Sequence, residues 1–78
     1  MDIKVFGPGC ARCTQLEQLV RSVVEEKNCA AHVEKISDLQ AIMTAGVMST
    51  PGLMIDGKIV SSGRIPTREE IAGWIDGA

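Results

Sequence analysis

Cys10-Ala11-Arg12-Cys13 sets two thiols three positions apart, just past an apolar segment and at the head of an amphipathic stretch. Thiols so placed can close a small disulfide and reopen it. The first turn of a helix has unpaired N–H groups and the positive end of the helix dipole, and both favour an anion. A thiolate is such an anion. It is the form that attacks disulfides and binds soft metals. The motif therefore points to thiol–disulfide exchange or to soft-metal binding.

The elements around the motif can be read from periodicity. Ile3-Lys4-Val5-Phe6 reads as a short strand closed by Gly7-Pro8-Gly9. From Cys13 the apolar residues Leu16, Leu19, Val20, Val23 and Val24 follow helical spacing, and Asn28 suits a left-handed helix end. Residues 30–36 read as a second strand, weakly patterned and suited to a sheet edge. Ser37 with Gln40 predicts a capping box for a short helix carrying Leu39, Ile42 and Met43 and stopping at Gly46. Two further strands, over residues 52–55 and 58–61, flank Asp56-Gly57, a strong two-residue hairpin signal. Thr67 with Glu70 predicts a second capping box, opening a helix that buries Ile71, Trp74 and Ile75 and ends at Gly77. The order β-α-β-α-β-β-α implies an α/β fold: a four-stranded mixed sheet with three helices on its two faces.

Composition narrows the function classes. The 78 residues predict one domain, 1–78, with a small core. A net charge of -2 lacks the basic bias of nucleic-acid binders, and Phe6 and Trp74 are too few aromatics for a base-stacking platform. No apolar run is long enough to span a bilayer, and the strand-like Met1-Asp2-Ile3-Lys4 does not read as a secretory signal. Three cysteines without framework spacing argue against a secreted disulfide scaffold, so a cytoplasmic location is expected.

Cys29 and His32 extend the first pair to C-x2-C-x15-C-x2-H, which approaches a structural zinc pattern. A helix over residues 13–27 would hold the two pairs about 21 Å apart at 1.5 Å per residue. Zinc ligands must converge within roughly 2.3 Å of one ion. The helical pattern is the stronger of the two, so Cys29 is read as a small, partly buried residue and His32 as a strand side chain.

The element order, with Gly7-Pro8-Gly9-Cys10-Ala11-Arg12-Cys13, Ser49-Thr50-Pro51 and Asp56-Gly57-Lys58, resembles the thioredoxin fold in its shortest form. It is most similar to the small thioredoxin/glutaredoxin-like redox-active disulfide proteins, over essentially the whole chain. That resemblance implies a protein-disulfide oxidoreductase in which Cys10 attacks and Cys13 resolves. Helix geometry fits those roles, since the first cysteine lies nearest the orphan N–H groups and the second one turn in. Cys10 is then expected to have the lower thiol pKa, below the roughly 8.5 of free cysteine. The resemblance also makes Pro51 the fold's cis-proline, with the Thr50 backbone placed to pair with an extended substrate.

The chain departs from ordinary thioredoxins at three places. Gly9 stands where they have tryptophan, Ala11-Arg12 separates the cysteines in place of Gly-Pro, and Lys4 occupies the position of a buried acid. Lys4 and Arg12 are thus candidate thiolate-tuning cations, each with a solvated-charge reading beside it. The alternative function is a soft-metal or metalloid binding module using the same cysteine pair. Small copper-carrying domains share the Cys-x-x-Cys placement, but their element order is β-α-β-β-α-β. The redox reading expects no cofactor beyond the Cys10–Cys13 disulfide and no resident metal. Its partners would be a disulfide-containing protein or small-thiol substrate and a reductase or thiol donor. The chain itself is expected to be a monomer without nucleic-acid or membrane partners.

Overall fold

The computed structural model describes residues 1–9 and 11–77. The elements are β1 (Asp2–Phe6), α1 (Ala11–Glu26), β2 (His32–Ile36), α2 (Leu39–Thr44), β3 (Gly52–Ile55), β4 (Lys58–Ser62) and α3 (Arg68–Gly77). This is the expected β-α-β-α-β-β-α order. The strands form one mixed sheet in the order β2-β1-β3-β4. β1 and β2 are parallel, joined by the α1 crossover, while β3 runs antiparallel to both β1 and β4. β2 lies at a sheet edge, as its weak patterning suggests.

Alternation along β1 divides the apolar residues between two faces. Ile3 and Val5 join Leu16, Val20 and Val23 of α1, Leu53 and Ile55 of β3, and Ile71 and Ile75 of α3 in the larger core. Phe6 points to the other face, where it packs with Ile42 of α2 and Val47. Helices α1 and α3 therefore share one side of the sheet and α2 covers the other. Ion pairs also tie α1 and Lys27, the residue after it, to α3: Arg68 Nη1 to Glu26 at 2.7 Å, with its Nη2 donating to Ser22 Oγ at 2.8 Å, and Lys27 Nζ to Asp76 at 2.8 Å.

Local chemistry closes the elements. Asn28 ends α1 with φ 53°. The N–H of Asn28 donates to Glu25 and that of Cys29 to Val24, the paired bonds of a Schellman motif. Gly46, with φ 87°, ends α2 in the same way, its bond to Met43 paired with one from Val47 to Ile42. Asp56 and Gly57 take φ 48° and 84°, the two positive values a type I′ hairpin requires. The Thr67–Glu70 capping box forms in both directions, at 3.0 and 3.1 Å.

Two boundaries and one buried position depart from expectation. The α2 cap is Asp38, not Ser37: the Asp38 carboxylate accepts the Ala41 N–H at 3.1 Å. Both residue types cap well, so adjacent candidates compete and the sequence alone misplaces the start by one. β2 begins at His32, two residues later than read, because residues 29–31 close a small turn through the bond from Ala31 N–H to Cys29 O. Trp74 is only partly buried at the edge of the larger core. Among the described residues, no helix is long and apolar enough to cross a membrane.

Candidate functional site

The segment leaving β1 is fixed before it reaches the cysteines. Gly7 is buried, and its N–H donates to Ile36 O of β2 at 2.9 Å. Pro8 and Gly9 then turn outward, Gly9 with φ 93°. Cys10, the expected attacking thiol, lies outside the described residues. α1 begins at Ala11, so Cys13 sits in its first turn, fully buried.

Cys13 owes its place to Gly7. A Cβ at Gly7 would overlap the Cys13 sulfur and lie 2.7 Å from the Cys13 Cβ, closer than real side-chain contacts. The absence of a side chain there lets the first turn of α1 settle onto the end of β1. Gly7 reads in the sequence as a turn glycine, yet its φ is not in the left-handed region. Its role is space, and a sequence signal exists: the glycine directly extends an apolar strand that leads to a cysteine pair.

Thr50–Pro51 is cis, as the resemblance implied. The Pro51 carbonyl accepts the Gly63 N–H at 2.9 Å, and Ser62 Oγ donates to Ser49 O at 3.0 Å, tying this loop to the end of β4. Gly52, the next residue, stands opposite Phe6 in the β1–β3 register. The Ser49–Pro51 loop thus enters β3 at the sheet end where Gly7 leaves β1. Thr50 is half-buried, and its N–H and C=O have no hydrogen-bond partner among the described residues. Beside it, exposed Met43 and Met48 line a shallow apolar groove with Gly46 and Val47.

The two candidate tuning cations fall in different places. Arg12 is exposed on the first turn of α1. Lys4 is half-buried and alternates with Ile3 and Val5, which puts it on the sheet face opposite α1. Arg64, the cation following β4, forms a two-pronged pair with Glu70 at 3.0 and 2.9 Å. That pair, with the Thr67 N–H, lowers the Glu70 carboxyl from 4.5 to about 2. Cys29 packs against the larger core and His32 is exposed. The unbroken α1 runs between Cys13 and Cys29. Among the described residues, no group of three or more His, Cys, Asp or Glu gathers as a metal-binding cluster.

Comparison with known proteins follows the same outline. The thioredoxin domain family matches residues 1–76. A thioredoxin of Methanothermobacter thermautotrophicus is 41% identical over 71 residues, covering 91% of this chain and 92% of that protein. A thioredoxin of Methanocaldococcus jannaschii is 41% identical over 69 residues, covering 88% of this chain and 79% of that protein.

Proposed function

Because this chain belongs to the thioredoxin domain family, and at that level is a thiol–disulfide oxidoreductase, we propose that Cys10 and Cys13 carry out its exchange chemistry. The Cys10 thiolate attacks one sulfur of a substrate disulfide. The substrate S–S bond breaks, a Cys10–substrate mixed disulfide forms, and the departing thiolate takes a proton. Cys13 then loses its proton and attacks the Cys10 sulfur, releasing the second substrate thiol. Two electrons have passed to the substrate, and the protein is left with a Cys10–Cys13 disulfide. A reductase partner returns the two electrons.

The observation that carries this reading is the seating of Cys13 against Gly7, at the sheet end where the Thr50–Pro51 loop enters β3. The Thr50 backbone, without a hydrogen-bond partner among the described residues, supports docking of an extended substrate by strand addition. The neighbouring Met43–Met48 groove supports protein substrates with apolar residues near the disulfide. We assign thiolate tuning to the first-turn N–H groups and to Arg12, since Lys4 lies on the face away from α1. The cysteine usage supports a reducing cytoplasm as the setting for this activity.

The test is a donor panel on a model protein disulfide. Thioredoxin reductase with NADPH is compared with glutathione and its reductase, using the wild type, Cys10→Ser and Cys13→Ser. Wild type should turn over with NADPH and the reductase. Cys10→Ser should be inactive, and Cys13→Ser should accumulate a mixed disulfide. Full turnover by Cys10→Ser would overturn the assignment.

A further inference from the structure

We propose that Gly7 is a positioning residue for the resolving step: its bare Cα face forms the seat that holds the Cys13 sulfur for attack on Cys10. The inference rests on the assignment of Cys13 as the resolving thiol and asks what holds that thiol in place.

Three observations define the seat. Cys13 is fully buried although it lies on the first turn of a surface helix. A Cβ on Gly7 would overlap its sulfur and stand 2.7 Å from its Cβ, while the Cys13 Cα would be at an ordinary 3.9 Å. Rotation about χ1 could carry the sulfur away from such a Cβ, but the Cys13 Cβ is fixed to its Cα, so the first turn of α1 would have to shift as well. Finally, the Gly7 peptide is pinned from the far side by the 2.9 Å bond to Ile36 O, and Phe6 before it is buried beside Ile42 and Val47. A methyl at Gly7 cannot be relieved by moving the strand without breaking that bond, so Cys13 must yield, its sulfur by rotation and its Cβ by a small shift of the first turn of α1.

The chemistry is sensitive to such a shift. Resolution needs the Cys13 sulfur in line with the Cys10–substrate S–S bond at near-contact distance, and a misplacement of about 1 Å costs on the order of 100-fold. The bond that forms is Cys13–Cys10, and the bond that breaks is Cys10–substrate. The substrate sulfur leaves with the electron pair and takes a proton. Gly7 touches none of the reacting bonds; it fixes where the attacking sulfur starts.

Two measurements on Gly7→Ala test the proposal. In a Cys10→Ser background, iodoacetamide labelling of folded protein should modify Cys13 at least tenfold faster in the Gly7→Ala variant than with Gly7 intact, while Cys29 labelling stays constant. With Cys10 intact, stopped-flow decay of a preformed Cys10 mixed disulfide should slow at least tenfold, with the rate of its formation unchanged. A merely structural role would not separate those two rates. Unchanged or faster decay overturns the proposal, whatever the labelling shows. Cys13→Ser with Gly7 intact is the control on the underlying assignment: if it fails to trap a mixed disulfide, the role of Cys13 fails, independently of Gly7. Should Gly7→Ala not fold, the same change in a Cys13→Gly background should fold, because the overlapping atoms are gone. Failure of that double variant to fold, where Cys13→Gly alone does fold, overturns the contact itself.

Discussion

Phe6 and Gly52 face one another as the last paired residues of β1 and the first of β3, so the loops beyond them emerge side by side. One loop leads through Gly7 to the cysteine pair. The other arrives through Thr50 and Pro51. Gly52 has no side chain because Val47 lies against it: a Cβ there would meet Val47 Cγ1 at 2.8 Å, while the Phe6 Cβ would stand at an ordinary 3.6 Å.

That contact gives the first prediction. Alanine in a strand ordinarily gains about 0.5–1 kcal/mol over glycine. Overpacking against a stiff, buried valine costs about 1–3 kcal/mol, and the larger effect should win. Gly52→Ala should therefore lower stability in urea denaturation. The loss should shrink in a Val47→Ala background, since the two residues touch. Strictly additive effects would show that the close approach does not set the cost.

The Arg64–Glu70 pair predicts a pH dependence. Folding holds the Glu70 carboxyl at about 2 against an ordinary 4.5, chiefly through the Arg64 hydrogen bond and then the Thr67 N–H. A lowered folded pKa means that the unfolded chain binds more protons across that interval. The stabilisation is thus complete above about 4.5 and is lost as pH falls through about 2. Glu70→Gln should reduce the urea midpoint at neutral pH, and the difference from wild type should close as pH drops across that window. A difference that persists at its lower end would place the effect in packing, not in charge.

Ser61 supplies a prediction of opposite sign. It is buried opposite Leu53, and its hydroxyl has no hydrogen-bond partner among the described residues. An unsatisfied buried hydroxyl is a cost, so Ser61→Ala should leave stability unchanged or raise it by up to about 1 kcal/mol. A loss of similar size, measured as a urea midpoint, would mean that the hydroxyl is satisfied in solution.

What the chain discloses as a sequence divides along physical lines. Asp56-Gly57, Asn28, Gly46 and the Thr67–Glu70 box act within a few residues of themselves, and each forms as read. The cysteine spacing and the Thr50–Pro51 placement identify the fold through their separation along the chain, and the order of elements follows. The α2 cap shifts from Ser37 to Asp38 because two good caps adjoin and only the local backbone decides between them. Gly7 and Gly52 are harder cases. Neither has a left-handed φ, so no turn or cap rule marks them; each is needed because another segment, Cys13 or Val47, comes close in three dimensions. The face on which Lys4 falls likewise depends on which side α1 packs, and that is settled by Ile3 and Val5 joining Leu16 and Val20.

The most direct measurement of the central claim is a peptide map of the oxidised protein. Free thiols are blocked by alkylation under denaturing conditions, and the chain is cut with trypsin, which cleaves after Arg12 between the two cysteines. The Cys10–Cys13 assignment predicts residues 5–12 and 13–21 joined by a disulfide that dithiothreitol releases, with Cys29 recovered alkylated. A bridge containing Cys29 as the dominant intrachain product would contradict it.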